Sequence, residues 1–192
     1  MTARDGRARA SSAKSPTPLV WNVAGLLGDP IGSVRDYAIE NVTIEPGDEL
    51  RLARPIDGLV HLARTNRGLL VDAGFRTALA MECVRCLRDI EVPIEFEIQE
   101  EAVPSIDIHS GQPIAATETE EDVLRLTDHH ELDLEPAVRD GILLAEPIAP
   151  LCREDCPGLC PVCGERLEDG SHDHPDDEID PRLEALKAFK PD

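Results

Sequence analysis

The clearest pattern along the chain is a strict alternation of apolar and polar positions at residues 90–98. The apolar members are Ile90, Val92, Ile94, Phe96 and Ile98, and the residues between them are Glu91, Pro93, Glu95 and Glu97. Because successive side chains of a strand point to opposite faces, this pattern predicts a strand with one buried face and one wet, acidic face. Pro93 has no amide proton to give to a neighbouring strand, so the strand is expected to lie at an edge or to carry a bulge there.

Shorter apolar runs precede this strand and predict further strands. They are bounded by Gly, Asn, Asp, Pro or Arg, and they lie at residues 37–44, 50–52, 58–63, 69–73 and 77–82. Short strands that follow one another with brief connections are typical of an antiparallel sheet. The expected fold class is therefore α+β, with an antiparallel β-meander or a partly closed barrel, and with a last strand at residues 121–126.

A few segments have helical spacing instead. Residues 19–27 predict a short helix or a turn-rich segment that ends at Gly28-Asp29-Pro30. Asp133 offers an N-cap for a helix that continues to Pro147, although Gly141 inside it weakens the propensity. Near the end of the chain, Asp180-Pro181 begins a short amphipathic helix.

The length of 192 residues suits one core domain with tails. Residues 1–18 hold almost no large apolar side chain and are expected to form a disordered leader. The α+β core domain should span residues 19–151, with a mobile acidic loop at 103–120. A cysteine-rich segment at 152–174 and an acidic linker with a short helix at 175–192 complete the predicted organisation.

The net charge of −20 is unevenly distributed. Residues 89–146 contain seventeen Asp or Glu and two Arg, whereas residues 51–88 contain seven Arg and three acidic residues. Phosphate is repelled by the average surface, so attraction of the whole chain to nucleic acid is disfavoured. A local basic patch stays possible, and Arg76, Arg85 and Arg88 are the candidate RNA contacts.

Composition disfavours two further classes. Aromatic residues make up 3% of the chain, which argues against a base-stacking surface for single-stranded RNA. No apolar stretch reaches the roughly 18 to 20 residues that cross a bilayer, and no apolar signal core follows the N-terminal charges. A cytoplasmic protein that does not contact a membrane is therefore expected.

Six cysteines in such a protein indicate metal ligands before they indicate disulfides. Two of them form Cys83-x2-Cys86, and the other four form Cys152-x3-Cys156-x3-Cys160-x2-Cys163. A Cys-x2-Cys turn delivers two thiolates from one tight loop, as tetrahedral zinc requires. Pro161 and Gly164 give the last pair the form of a zinc knuckle. The pattern predicts a structural Zn²⁺ site in a C-terminal zinc-knuckle segment.

Spacing leaves two ligand assignments open, because six thiolates exceed the four that one zinc needs. In the first, the four C-terminal cysteines close a local site. In the second, Cys83 and Cys86 join two of the C-terminal cysteines. The second assignment closes a longer loop and removes more unfolded-state entropy. One or two bound metals are compatible with the sequence.

An enzyme is the alternative hypothesis, either a zinc-dependent hydrolase or a thiol redox protein. A catalytic zinc keeps an open position and commonly has histidine ligands, for which His172 and His174 are available. Their polar setting favours a solvated loop instead. A redox Cys-x2-Cys normally opens a helix after a parallel strand, whereas Cys86 leads directly into the alternating strand.

The order of these motifs resembles the YceD family, the large ribosomal RNA subunit accumulation proteins. The resemblance covers roughly residues 20–190. It rests on Cys-Val-Arg-Cys-Leu at 83–87, Glu-Pro-Ile-Ala-Pro-Leu-Cys at 146–152, and Asp-Pro-Arg-Leu at 180–183. Its most specific part is Asp-Cys-Pro-Gly-Leu-Cys-Pro-Val-Cys-Gly at 155–164.

The resemblance implies a non-enzymatic role in accumulation of 23S rRNA and in assembly of the large ribosomal subunit. The family's genes often adjoin that of a small large-subunit ribosomal protein, which suggests a basic ribosomal protein or an assembly factor as partner, on a large-subunit precursor. Some relatives keep the first cysteine pair and lack the Cys160/Cys163 pair. That difference favours a site from Cys83, Cys86, Cys152 and Cys156, which Cys160 and Cys163 complete or extend.

Overall fold

The fold is known from a computed structural model that describes residues 19–47, 50–114 and 123–168, together with 174 and 182. Within these ranges the chain is mostly β-structure with two helices. The elements are β1 (Val20–Asn22), α1 (Ala24–Gly28), β2 (Val34–Val42), β3 (Leu52–Arg64), β4 (Leu69–Glu82), β5 (Asp89–Val103), β6 (Leu124–Arg125), β7 (Glu131–Asp133) and α2 (Glu135–Ala145). The predicted leader at 1–18 and most of the predicted helix from Asp180 lie outside the described residues.

Two sheets contain these strands. The larger has the order β2-β3-β4-β5-β6, and the smaller pairs β1 with β7. Strands β2, β3 and β4 are antiparallel neighbours, whereas β5 and β6 run parallel. The predicted meander is confirmed for β2 to β4. The predicted partial closure is not found, because in the described part of the chain β2 and β6 end the sheet without pairing into a barrel.

The alternating segment is confirmed as a strand, and it is longer than predicted. Strand β5 covers Asp89–Val103, and its glutamates at 91, 95 and 97 are exposed while Ile94 and Ile98 are buried. Among the described residues, β6 pairs with β5 at Ala102 and Val103 alone. Pro93 therefore lies in a part of β5 that has no β6 beside it, in keeping with the predicted edge position.

Two predicted strands at 69–73 and 77–82 are one strand, β4, which continues through Gly74. The predicted helix at 19–27 is shorter, because residues 20–22 are taken by β1 in pairing with β7. The helix after Asp133 is confirmed as α2, but its N-cap is Leu134 rather than the predicted Asp133. The Asp133 carboxylate accepts a 2.9 Å hydrogen bond from the amide of Glu135 and so satisfies one of the unpaired amides at the helix start.

Helix α2 packs directly on the larger sheet, and this contact explains its glycine. A Cβ added at Gly141 would lie 2.5 Å from a ring carbon of Phe96 on β5. Phe96 in turn stacks on Phe75 of β4, with ring centroids 5.4 Å apart. The glycine that weakens the helical propensity is thus the residue that allows the helix to approach the sheet.

The chain divides into two compact units. Unit 1 contains the described residues up to Met81 and Glu91–Ile148, and unit 2 contains Glu82–Ile90 with the described residues from Ala149 onward. The core of unit 1 is built mainly of Leu, Ile and Val with Phe75. A smaller cluster in unit 2 is centred on three cysteines. No helix in the described part of the chain is long and apolar enough to cross a membrane.

Candidate metal centre

The first Cys-x2-Cys pair lies in a tight turn of unit 2. The amide of Cys83 donates to the carbonyl of Arg88 at 2.8 Å, and the amide of Leu87 donates to the carbonyl of Cys83 at 2.9 Å. These bonds fold the turn so that Cys83 and Cys86 face the same side. Leu87 has a φ of 52°, a left-handed conformation that a residue with a Cβ adopts only at a cost.

The C-terminal segment brings two more cysteines to this turn. The amide of Val84 donates to the carbonyl of Pro150 at 3.0 Å, just before Cys152. The guanidinium of Arg85 donates to the carbonyl of Cys156 at 3.0 Å. Gly158 has a φ of 83°, and a Cβ there would lie 3.3 Å from the carbonyl oxygen of Arg85. Backbone contacts thus join sequence-distant parts of unit 2.

Four sulfur atoms meet where these segments join. The Sγ atoms of Cys83 and Cys156 are 3.9 Å apart, and those of Cys86 and Cys152 are 3.7 Å apart. All four lie within 4.8 Å of one another. Thiolates held 2.3 Å from a tetrahedral zinc are separated by about 3.8 Å. The four cysteines are therefore placed to bind one metal ion, which is the second of the two assignments left open by the sequence.

The four thiols are largely shielded from solvent. Cys83, Cys86 and Cys156 are 0%, 1% and 3% exposed, and Cys152 is half-buried. Burial raises the pKa of Cys83, but hydrogen bonds from the amides of Cys152, Cys86 and Arg85 outweigh it and lower the pKa to about 6. Burial and the neighbouring thiols raise the pKa of Cys152 to about 12. One thiolate is thus formed readily at neutral pH, and an approaching cation would favour the others.

Cys160 and Cys163 do not join this group. They form a second cluster with His174, in which the ligand atoms lie within 4.8 Å of one another. The Nε2 atom of His174 is 3.2 Å from the Sγ of Cys160. His174, which the sequence favoured as part of a solvated loop, is half-buried with its ring beside a cysteine. His172 lies outside the described residues.

Arg166 and Glu168, which the sequence analysis did not single out, stabilise the segments around the first cluster. Arg166 donates from Nε to the carbonyl of Cys86 at 2.9 Å and from its Nη2 to the carbonyl of Leu87 at 3.2 Å. Glu168, whose side chain is 15% exposed, pairs with Arg88 at 3.0 Å and with Arg153 at 2.7 Å. Nothing in the local sequence marks Arg166, because the carbonyls to which it donates are about eighty positions earlier. Glu168 likewise pairs with Arg88, eighty positions earlier.

The three candidate RNA contacts have different surroundings. Arg76 belongs to β4 in unit 1, is 78% exposed and lies 3.4 Å from the carboxylate of Glu95. Arg85 and Arg88 belong to unit 2. Arg85 is exposed and donates to the carbonyls of Glu154 and Cys156, while Arg88 is half-buried and pairs with Glu168.

Known proteins resemble the chain over most of its length. It is 31% identical over 163 residues to an uncharacterized protein of Mycobacterium tuberculosis (strain H37Rv), covering 83% of this chain and 71% of that protein. It is also 31% identical over 178 residues to an uncharacterized protein of Mycobacterium leprae (strain TN), covering 86% of this chain and 74% of that one. No solved structure matches the chain significantly.

A family model also matches the chain. The model described as "Large ribosomal RNA subunit accumulation protein YceD" covers residues 71–190, which include most of β4, all of β5 and α2, and all six cysteines. The match is to more than half of the sequence, and it agrees with the motifs at 83–87 and 155–164. This chain belongs to the YceD family of large ribosomal RNA subunit accumulation proteins.

Proposed function

We propose that this protein is a non-enzymatic, cytoplasmic factor that supports accumulation of 23S rRNA and assembly of the large ribosomal subunit. Membership of the YceD family is the observation that carries this proposal. One Zn²⁺ held by Cys83, Cys86, Cys152 and Cys156 stabilises unit 2. The zinc has a structural role, and the protein acts by binding rather than by chemistry.

The donor set supports a structural zinc. Four thiolates suit zinc among the common cellular metals, and they fill its four tetrahedral positions, so no position is left for a water molecule or a substrate. A thiol redox enzyme needs a cysteine that reagents can reach. Cys83, whose pKa is low, is 0% exposed. The burial of its sulfur therefore disfavours a redox role for Cys83.

The acidic face of the sheet in unit 1 supports a basic partner. A groove of about 790 Å³ lies on the outward side chains of β3, β4 and β5. Its charged lining contains Asp57, Asp72, Glu95 and Glu97 against Arg76. Four carboxylates against one guanidinium favour a Lys- or Arg-rich segment, as found in ribosomal proteins. We assign the predicted contact with a basic ribosomal protein or assembly factor to this groove.

Contact with 23S rRNA, where it occurs, is proposed to use Arg76, Arg85 and Arg88. Arg76 is the most available of the three, because both it and its partner Glu95 are more than 70% exposed. An exposed ion pair contributes at most about 1 kcal/mol, so Arg76 can leave Glu95 at low cost. The four carboxylates of the groove repel phosphate, so contact with RNA at Arg76 requires a basic partner that neutralises them. A guanidinium also matches the geometry of phosphate oxygens.

The proposal is tested by depleting the protein in cells of the source organism. We expect the ratio of 23S to 16S rRNA and the amount of large subunits to fall, and expression of the full chain to restore both. The Cys83→Ser/Cys152→Ser variant should fail to restore them, because its unit 2 loses the metal. Unchanged 23S rRNA and large subunits after depletion would refute the proposed role.

A further inference from the structure

We infer that the chain has a second zinc site, formed by Cys160, Cys163 and His174 and separate from the four-cysteine site. The proposed function needs only the first metal. The second cluster lies within unit 2, and its sulfur and nitrogen atoms are all within 4.8 Å of one another. The protein therefore binds two zinc ions rather than one.

The distances fit a shared metal. A thiolate sulfur and an imidazole nitrogen bound to one tetrahedral zinc are about 3.6 Å apart, from bond lengths of about 2.3 and 2.0 to 2.1 Å. The observed separation between Cys160 Sγ and His174 Nε2 is 3.2 Å. His174 follows Cys160 by 14 positions, so chain proximity alone does not impose this approach.

The backbone of the second pair repeats that of the first. The amide of Cys160 donates to the carbonyl of Glu165 at 2.7 Å, and the amide of Gly164 donates to the carbonyl of Cys160 at 2.9 Å. The first turn has the same two bonds at the corresponding positions, from Cys83 to Arg88 and from Leu87 to Cys83. The residue after each second cysteine, Leu87 or Gly164, has a positive φ of 52° or 76°.

This repetition distinguishes a ligand turn from a chance thiol contact. Both turns aim two sulfur atoms to one side, and in the first turn those atoms face two further sulfurs at metal-binding distance. In the second turn they face an imidazole nitrogen, which is the other common zinc ligand. The same Cys-x2-Cys turn conformation thus occurs twice in unit 2.

The second zinc should be held less tightly than the first. Among the described residues, three side chains supply ligands to the second cluster, whereas four supply the first. Cys163 is exposed, while three cysteines of the first cluster are buried. Better access for solvent speeds the exchange of a metal.

The inference is tested by measuring zinc per chain in the purified full-length protein by mass spectrometry. We expect two zinc ions in the wild type and one in each of Cys160→Ser and His174→Ala. His129→Ala, which changes an exposed histidine of unit 1, is the matched control and should keep two. Cobalt substitution gives a second measurement, because sulfur-to-cobalt absorption should fall less in Cys160→Ser than in Cys83→Ser.

Release to a chromogenic chelator should show one fast and one slow zinc in the wild type, and the fast one should be missing in His174→Ala. A wild type with a single zinc, or a His174→Ala variant that keeps two, would overturn the second site. The single-zinc result, obtained together with an intact four-sulfur cobalt spectrum, would leave the proposed function standing. A wild type purified without any zinc would contradict both metal sites, whereas the proposed ribosomal role is tested separately by the depletion experiment.

Discussion

Arg166 donates a hydrogen bond of 2.9 Å from its Nε atom to the carbonyl oxygen of Cys86, eighty positions earlier in the chain. Its Nη2 atom reaches the next carbonyl, that of Leu87. Arg166 also forms the isolated bridge with Leu159, beside the second cysteine pair. Arg166 thus links the backbone around the two cysteine clusters within unit 2, through its side chain at the first and its main chain at the second.

Replacing Arg166 with alanine should destabilise the turn that holds Cys83 and Cys86. Two charge-assisted hydrogen bonds to carbonyls are lost, which should lower the free energy of unfolding of the zinc-bound protein by about 2 kcal/mol. Zinc release from the four-cysteine site to a chelator should become faster. Arg51→Ala, at an exposed arginine of unit 1, is the control. Equal release rates in the two variants would contradict this role of Arg166.

Replacing Leu87 with glycine should raise the free energy of unfolding slightly. Leu87 has a φ of 52° and is 55% exposed, so Leu87→Gly removes backbone strain and little packing. Relief of about 1 to 2 kcal/mol is offset in part by the larger unfolded-state entropy of glycine, and a gain of about 0.5 kcal/mol in unfolding free energy is expected.

The converse change, Gly164→Ala, should destabilise the protein by about 1 kcal/mol. A Cβ at Gly164 meets no atom within 4 Å, so the effect isolates the cost of a φ of 76°. Chemical denaturation of both zinc-bound variants measures the two changes. The same sign in Leu87→Gly and Gly164→Ala would refute the interpretation that the two turns are equivalent.

Two helical glycines should respond oppositely to alanine. At Gly141, alanine gains about 1 kcal/mol of helix propensity but its Cβ clashes with the Phe96 ring, so a net loss of about 1 to 2 kcal/mol is expected. At Gly28, at the end of α1, an added Cβ meets nothing within 4 Å, and stability should stay the same or rise. Thermal unfolding compares the variants. A stabilised Gly141→Ala protein would show that α2 does not need this close approach.

The acidic groove should bind basic peptides in a salt-dependent way. Removing two of its charges in Glu95→Gln/Glu97→Gln should weaken binding of a lysine-rich probe peptide several-fold at low salt and less at high salt. Glu40→Gln/Glu45→Gln removes the same charge from exposed positions outside the groove lining. Fluorescence anisotropy of the labelled peptide provides the measurement. Equal losses in the two double variants would show a response to net charge rather than to the groove.

Local patterns were sufficient for several elements. The alternation at 90–98 predicts β5, and the capping pattern at Asp133 predicts α2, because a strand or a helix start depends on residues close in sequence. The same patterns predicted two strands separated near Gly74. In the structure β4 continues through Gly74, because this residue pairs with β3 in the sheet. They also assigned residues 20–22 to a helix or turn, whereas a partner more than a hundred positions away holds them as β1.

The sequence by itself determined that this chain carries paired cysteine turns, a predominantly β core and the motifs of its family. Only the tertiary structure decided how the six cysteines are shared, because Cys83 and Cys86 meet partners 73 and 66 positions away and spacing does not encode such distances. It also placed the ring of His174 beside Cys160. Ligand spacing is a local property, whereas ligand grouping depends on which distant backbone segments hydrogen-bond to one another.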